Sequence, residues 1–368
     1  MLKSFKYRIY PSEEQQGKLS NYFGVVRLVY NLGLEVKKTA YESTGKSPSS
    51  FDLIKQITEL RKDYDWVKDC PSQALQQSIR NLDIAYKNFF KGSGYPKFKN
   101  KYSKQSIKFP QGVSVDFSQS LIKLPKLGNI SIIFSREFSG DIKTVTLSKT
   151  VTGKYFVSIL VDNKKELPNK REISESSTVG IDLGVKELAI TSEGVIYENK
   201  NFLKTQLRRL RVEQRSLSRK QKGSKNREKQ KLKVSLLHEK IRNQRIDYLQ
   251  KITTELINTY DTIVIEDLVV TKMLKDNYLA RAISDMGWRE FRGMLEYKAD
   301  WYGKNLLVVD KYFPSSKTCS NCGNIKNDLD LSHRVYECDV CNSSFCRDLN
   351  AAVNIKKEGL GQILCTLT

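Results

Sequence analysis

The sequence has 368 residues, of which 39% are hydrophobic and 10% aromatic, a composition typical of a globular chain rather than a disordered one. Its length allows two or three domains with separate cores. Its formal net charge is +22. A surplus of this size repels itself, so it indicates a polyanionic partner such as nucleic acid or an acidic membrane surface.

Membrane insertion and secretion are not expected. No apolar run reaches the ~18 residues that a transmembrane helix needs. The first ten residues alternate lysine with aromatic residues and lack the apolar segment of a secretory signal. We therefore expect a cytoplasmic, nucleoid-associated protein. Its seven cysteines would stay reduced there, which favours metal binding over disulfides.

The first half of the chain predicts a strand, then helices, then β-structure. The strand covers residues 3–10, and Ser12 is the predicted N-cap of the helix that follows. Helices are predicted over 13–41, 51–64 and 71–90. Residues 105–165 contain alternating strand patterns and a hairpin turn at Thr152-Gly153-Lys154, and a polar linker follows over 166–177.

The second half predicts an α/β sheet whose element order resembles that of the RNase H family of nucleases. Three strands are followed by helix, strand, helix and strand. The strands are predicted over 179–185, 188–191, 195–197, 262–266 and 306–309. The long helical stretch over 203–258 is interrupted near Gly223-Ser224, and a shorter helix covers 287–303.

Four cysteines have the spacing of a zinc ribbon. They form two Cys-x2-Cys pairs separated by fifteen residues: Cys319, Cys322, Cys338 and Cys341. Four thiolates leave no open position, so the predicted zinc ion is structural. Gly323 and Asn342 follow the two pairs, where tight turns require a positive φ. The alternative is four unrelated buried cysteines, while His333, Cys70 and Cys365 are predicted to be ordinary residues.

Three carboxylates are candidates for a second metal site. Asp182 interrupts an apolar strand, Glu266 ends another, and Asp348 opens a helix. A carboxylate in a buried strand is costly unless it is neutralised, and a divalent cation is the usual neutraliser. Three such acids can bind two Mg²⁺ ions for in-line phosphodiester hydrolysis. Taken singly, Asp182 could cap a turn, Glu266 could pair with a lysine, and Asp348 could cap its helix.

Seven segments together resemble the TnpB family, the nucleases encoded by bacterial insertion sequences and related to type V CRISPR effectors. The segments are Tyr7-Arg-Ile-Tyr-Pro11, Arg27-x-x-Tyr30-Asn31, Tyr95-Pro-Lys-Phe-Lys99, Gly180-Ile-Asp-Leu-Gly184, Ile265-Glu-Asp-Leu268, Ser316-Lys-Thr-Cys-Ser-Asn-Cys-Gly323 and Arg347-Asp-Leu-Asn-Ala-Ala352. They span essentially the whole chain and are specific in combination and order. One departure is Cys346, because the family commonly has an acid two residues before the position of Asp348.

The resemblance implies an RNA-guided DNA endonuclease with a RuvC-type catalytic domain. Asp182, Glu266 and Asp348 would be its metal-binding acids. The implied partners are a guide RNA transcribed from the element's own end and double-stranded target DNA. Base pairing would select the target, while the protein reads backbone shape and a short adjacent motif.

The same resemblance implies an α/β multidomain chain. Residues 1–11 and 100–170 would form a β-barrel-like wedge domain, with 12–99 as a helical recognition insertion. Residues 176–314 and 346–368 would form the RNase H-like catalytic domain, which includes a basic helical hairpin over 203–258. The zinc ribbon, 315–345, would be inserted in that domain.

Residues 204–251 are the strongest candidate for nucleic-acid contact, since they hold 17 Lys and Arg against 4 Asp and Glu, a net charge of +13. A solvated charged helix is the alternative, but this charge density favours a phosphate-binding surface. Predicted phosphate contacts are Arg208, Arg209, Arg211, Arg215, Arg219 and Lys220. Weaker candidates are Tyr95, Lys97 and Lys99, for stacking and phosphate contact, and Gln73, Gln76 and Gln77, for adenine edges.

Two other functions remain open at this level. One is a guided DNA-binding regulator that no longer cuts, which the three intact acids argue against. The other is an accessory transposase protein that joins strands itself, but nothing distinguishes any one of the 18 tyrosines as a nucleophile.

Overall fold

The computed structural model describes residues 1–273, 275, 280–326, 328–329 and 333–367, with backbone alone at 271–272 and 364–367. The chain divides into two compact units, Met1–Glu166 (unit 1) and Leu167–Thr368 (unit 2). Among the described residues, no helix has both the length and the apolar character needed to cross a bilayer.

Unit 1 contains a seven-stranded antiparallel sheet in the order β2-β6-β7-β1-β5-β4-β3. Its strands are β1 (Leu2–Tyr10), β2 (Gln105–Phe109), β3 (Ser114–Asp116), β4 (Leu121–Leu124), β5 (Gly128–Ile133), β6 (Asp141–Lys149) and β7 (Tyr155–Asp162). The predicted strand at the N-terminus lies inside this sheet, where Tyr7 and Ile9 are buried. Closure of the sheet into a barrel stays a prediction.

Four helices are inserted between β1 and β2. They are α1 (Glu13–Thr44), α2 (Ser50–Asp63), α3 (Asp65–Lys68) and α4 (Ser72–Phe90). Ser12 begins α1 as predicted, through a capping box in which its hydroxyl accepts from the Gln15 backbone nitrogen at 3.3 Å. The Gln15 side chain in turn accepts from the Ser12 backbone nitrogen at 3.0 Å. Helix α1 continues three residues beyond the predicted end and stops at Gly45, whose φ is +68°.

Unit 2 contains a five-stranded mixed sheet in the order β10-β9-β8-β11-β12. Its strands are β8 (Thr178–Asp182), β9 (Glu187–Thr191), β10 (Ile196–Glu198), β11 (Thr262–Glu266) and β12 (Asn305–Val309). Strands β8, β11 and β12 are parallel, whereas β9 and β10 run antiparallel. In both β8 and β11 the first four residues are buried and only the final acid is partly exposed.

Helices cover both faces of this sheet. They are α5 (Phe202–Ser218), α6 (Lys225–Thr259), α7 (Val270–Met273), α8 (Ala280–Met286), α9 (Trp288–Tyr302) and α10 (Arg347–Leu367). Ile263 and Ile265 of β11 pack with α6 and α9 in one core. Val264 points to the opposite face, where it packs with Ile355 of α10. Ser224 is the N-cap of α6, so the predicted helix break at Gly223-Ser224 is confirmed.

Two glycines let helix α10 lie in direct contact with the sheet, one in β8 and one in α10 itself. A methyl group on Gly180 of β8 would overlap the Ala352 carbonyl and lie 2.6 Å from the Lys356 backbone nitrogen. A methyl group on Gly359 of α10 would likewise overlap the Val264 side chain. These two positions fix the height of α10 above the strands.

A small two-stranded hairpin lies between β12 and α10 in the chain. Its strands are β13 (Val335–Glu337) and β14 (Ser344–Cys346), paired antiparallel. Because α10 follows β14 directly, the hairpin is joined to the first turn of that helix.

Candidate metal centres and nucleic-acid interface

Asp182 and Glu266 lie side by side at one edge of the unit 2 sheet. Their strands are parallel neighbours, with Ile181 in register with Ile265, and each acid is the next residue along. Both strands therefore deliver a carboxylate at their carboxyl ends.

Helix α10 brings the third acid to the same edge. Asp348 is in its first turn, one turn before Ala352, which lies against Gly180. Since residues two apart in a strand share a face, Asp182 points to the face that α10 covers. The electrostatics agree with this placement. Burial, followed by the negative charges of Glu266 and Asp348, raises the pKa of Asp182 to about 7.

The other two acids already have polar partners. The Ser315 hydroxyl donates to Glu266 Oε1, which opposes the upward shift that burial gives the pKa of Glu266. Arg347 donates to Asp348 Oδ1 from Nε at 3.2 Å and from Nη2 at 3.1 Å. Arg334 Nη1 lies 3.9 Å from Asp348 Oδ2.

Three partly buried carboxylates at the same end of the sheet are a candidate cation site, and their role as metal ligands stays a prediction. Carboxylate oxygens are the ligands that hard divalent ions such as Mg²⁺ prefer. The raised pKa of Asp182 shows the electrostatic cost of charging this cluster. A bound cation would relieve that cost.

Sequence reasoning missed the side chains around the acids. Ser315, Arg334 and Arg347 contact Glu266 or Asp348 directly. Asn350 and Asn354 are almost completely buried inside α10, at 1% and 3% exposure. Two asparagines one turn apart within a helix were the available signal, because asparagine is unfavourable there unless its amide has a specific partner.

The four predicted cysteine ligands come together. Within the described part of the chain, their sulfurs form a group of potential ligand atoms that all lie within 4.8 Å of one another. The sulfurs of Cys319 and Cys341 are 3.6 Å apart, and those of Cys322 and Cys338 are 3.5 Å apart. Zinc–sulfur bonds of ~2.3 Å in a tetrahedron place sulfurs about 3.8 Å apart. The cluster is therefore compatible with zinc.

Both turns have the predicted backbone conformation. Gly323 has a φ of +77° and Asn342 a φ of +55°. Their backbone nitrogens donate to the carbonyls of Cys319 and Cys338, at 2.9 and 3.0 Å, which closes each turn. His333 is exposed, Cys346 is exposed at the end of β14, and Cys70 is buried in the core of unit 1. The side chain of Cys365 lies outside the described residues.

The basic segment forms the pair of helices α5 and α6. Leu210 packs with Val234 and Leu237 in a small core between them, and Leu203 and Leu217 border it. Five of the predicted phosphate contacts are exposed and Lys220 is half-buried; the exposed ones are Arg208, Arg209, Arg211, Arg215 and Arg219. Arg227 has a different place, since its Nη1 donates to the carbonyls of Leu217 and Lys220 and holds the turn between the helices.

The candidates in unit 1 differ in accessibility. Lys97 is exposed, and Tyr95 is 46% exposed while its hydroxyl lies 3.0 Å from that of Tyr86. Lys99 is half-buried, with its ammonium 3.6 Å from the centre of the Tyr30 ring.

The glutamines of α4 differ in the same way. Gln73 lines a cleft of about 220 Å³ together with Arg61, Gln111 and Lys126. Gln76 is half-buried, whereas Gln77 is buried at 8% exposure and offers little amide surface to a base.

Comparison with known families gives three matches along the chain. A family model described as "Probable transposase" matches residues 158–277, and one described as "Cas12f1-like, TNB domain" matches 288–355. A model described as "Helix-turn-helix domain" matches residues 1–46.

Two bacterial relatives match almost end to end. A Streptomyces pristinaespiralis protein named "Putative RNA-guided DNA endonuclease" is 39% identical over 370 residues, which are 99% of this chain and 90% of that protein. An Escherichia coli K12 protein of the same description, InsQ, is 35% identical over 382 residues, covering 99% of this chain and 94% of that protein. "TnpB-like protein L79" of Acanthamoeba polyphaga mimivirus is 28% identical over 394 residues, covering 98% of this chain and 74% of that protein.

Solved structures share the fold. Cas12f1, in a complex with sgRNA and target DNA, aligns with a TM-score of 0.59 over 97% of this chain and 98% of that one, at 16% identity. The mini RNA-guided endonuclease CRISPR-Cas_phi3 aligns with a TM-score of 0.52 over 98% and 92%, at 10% identity. At these identities the likeness is one of fold.

Proposed function

The chain belongs to the TnpB family, and from this membership we propose that it is an RNA-guided DNA endonuclease of a transposable element. The observation that carries the chemistry is the meeting of Asp182, Glu266 and Asp348 at one edge of the unit 2 sheet. This cluster supports hydrolysis of DNA phosphodiesters by a RuvC-type site.

The three acids would hold two Mg²⁺ ions. Bound there, the metal would supply an activated water and neutralise charge that develops on the phosphate. The protein's own part is to hold the three carboxylates at the same end of the sheet. Strands β8 and β11 fix two of them, and the close contact of α10 with Gly180 fixes the third. Arg334 and Arg347 lie beside Asp348 and are placed to attract a phosphate.

The zinc ion proposed for the cysteine cluster is structural. Four thiolates complete its coordination, so it has no position for substrate. The ribbon would instead brace the segment that leads into α10.

The proposed partners are a guide RNA and double-stranded DNA. Support comes from the arginines of α5, which are exposed while its leucines pack against α6. The cleft beside Gln73 in unit 1 is the proposed contact for the motif next to the target.

A plasmid-cleavage assay with co-purified RNA and Mg²⁺ tests the function. We expect the wild-type protein to cut a plasmid that matches the guide, and Asp182→Ala to bind the same plasmid without cutting it. Equal loss of binding and cleavage in Asp182→Ala would overturn the assignment of the metal site. RNA-dependent binding by the wild type with no cleavage would instead favour the guided regulator.

A further inference from the structure

The loop between β12 and the cysteine cluster is tied to α10 through two buried asparagine side chains. Asn354 Nδ2 donates to the carbonyls of Ser315 and Thr318, at 2.8 and 2.6 Å. Asn350 Nδ2 donates to the same Thr318 carbonyl at 2.7 Å, and Asn350 Oδ1 accepts from the Ser320 nitrogen at 2.8 Å.

These hydrogen bonds hold the residues on either side of Cys319, the first cysteine of the zinc cluster. Cys319 lies between Thr318 and Ser320, whose backbone groups are both bonded to Asn350. Buried amide groups that satisfy buried carbonyls fix geometry strongly, because breaking one bond leaves an unpaired polar group in the interior. The position of the loop is therefore set by the helix that carries Asp348.

At the other end of this loop Ser315 contacts the metal site. Its side chain is buried, at 6% exposure, and its hydroxyl donates to Glu266 Oε1. Ser315 thus constrains the orientation of the Glu266 carboxylate through one of its two oxygens.

We propose that Ser315 is a positioning residue for the metal site, held by Asn354 and directing the Glu266 carboxylate toward the cation. This inference rests on the proposed function, since it presupposes that Glu266 is a metal ligand. The network runs from Asn354 to Ser315 to Glu266, so α10 sets the direction of two of the three acids, Asp348 itself and Glu266 through the loop. Partners of metal-binding carboxylates commonly change metal affinity by about 10- to 100-fold when they are removed.

The test is a Mn²⁺ titration of the zinc-loaded, full-length protein without nucleic acid, followed by electron paramagnetic resonance of the free ion. We expect Ser315→Ala to weaken Mn²⁺ binding about 10-fold. Ser315→Thr keeps the hydroxyl and should restore it. Ser320→Ala is the matched control, because Ser320 bonds to α10 through its backbone nitrogen and carbonyl, which the substitution keeps. The affinity of this variant should equal that of the wild type.

A second variant separates positioning from general destabilisation. Asn354→Ala keeps the Ser315 hydroxyl but removes its anchor, so it should also weaken Mn²⁺ binding. The double variant should lose no more affinity than Ser315→Ala alone, because both changes act through one hydrogen bond. If the losses of Mn²⁺ affinity in the two single variants add in the double variant, Asn354 does not act through Ser315 and the proposal is wrong.

Asp182→Ala distinguishes failure of this inference from failure of the proposed function. If Asp182→Ala abolishes Mn²⁺ binding while Ser315→Ala binds like the wild type, the positioning role is wrong and the metal site stands. If Asp182→Ala binds Mn²⁺ like the wild type, the metal site itself is wrong.

Discussion

The α-carbon of Gly180 faces the carbonyl of Ala352 with no space for a methyl group between them. This close approach lets α10 rest directly on β8 and places Asp348, one turn earlier, beside Asp182. Glycine at position 180 is thus required by the approach of two backbones rather than by a turn.

Gly180→Ala should therefore destabilise the protein and move Asp348 away from Asp182. We expect a loss of about 2 kcal/mol or more in the free energy of unfolding, because the new methyl group meets backbone that cannot rotate away. Cleavage should fall further than stability alone explains. Gly361→Ala is the control within α10, since among the described residues no atom beyond the helix's own nearby backbone lies within 4 Å of its added methyl group. That variant should gain up to about 1 kcal/mol from helix propensity, as chemical denaturation would measure.

The raised pKa of Asp182 predicts how stability depends on pH in the absence of Mg²⁺. Its folded-state value of about 7 lies above the ordinary value of ~3.9, so the folded protein holds this proton more tightly than the unfolded chain. The contribution to stability is complete below about pH 4 and is lost as the pH rises through 7. Asp182→Asn should then be more stable than the wild type at pH 8.5, with the advantage shrinking toward pH 5.5. Thermal unfolding of both proteins measures this, and an advantage that does not change with pH would contradict it.

Mg²⁺ should offset the loss of stability at high pH in the wild type but not in Asp182→Asn. Cation and proton compete for the same carboxylates, so Mg²⁺ should raise the melting temperature more at pH 8.5 than at pH 5.5. Asp182→Asn should show little response at either pH.

Cys338→Ser should release the zinc ion and lower stability, because the free energy of zinc binding is part of the free energy of folding. Elemental analysis should fall from about one zinc per chain toward none. Cys346→Ser is the matched control, since Cys346 is exposed and lies outside the group of four sulfurs. Full zinc content in Cys338→Ser would contradict the four-cysteine site.

The exposed arginines of α5 should govern the salt dependence of RNA binding. Replacing Arg208 and Arg209 by alanine should lower the slope of log affinity against log salt by about 1 for each phosphate that is no longer neutralised, with no change in melting temperature. Arg227→Ala should instead lower the melting temperature, because Arg227 holds the helical turn through two carbonyls. Binding measured between low and moderate salt tests the first expectation, and thermal unfolding tests the second.

Local features of the fold were predictable because neighbouring residues determine them. Ser12 begins α1 by capping its own helix, and Gly153, with a φ of +82°, makes the predicted hairpin turn. Family membership was predictable as well, since motifs spread along the chain carry it, and the relatives confirm it.

Relationships between distant residues were not predictable in the same way. No local pattern predicts that β1 pairs with both β5 and β7, or that Gly180 contacts Ala352, because these residues are far apart in the chain. Ser315 gave no local signal at all, because its hydrogen bond to Glu266 arises only when β11, the loop and α10 are assembled. Helices α7 and α8 were also missed, as both are short.

The packing of β8 against α10 also sets when activity can arise during synthesis. Asp182 and Asp348 are separated by about 170 residues, and a ribosome adds roughly 5–20 residues per second. Some 10–30 seconds of translation therefore separate the first acid from the last. Once synthesis has passed Thr259, the last residue of α6, the nascent chain carries its basic helices but at most two of the three acids until Asp348 is added. The proposed RNA contact would therefore be available before the proposed cutting site is complete.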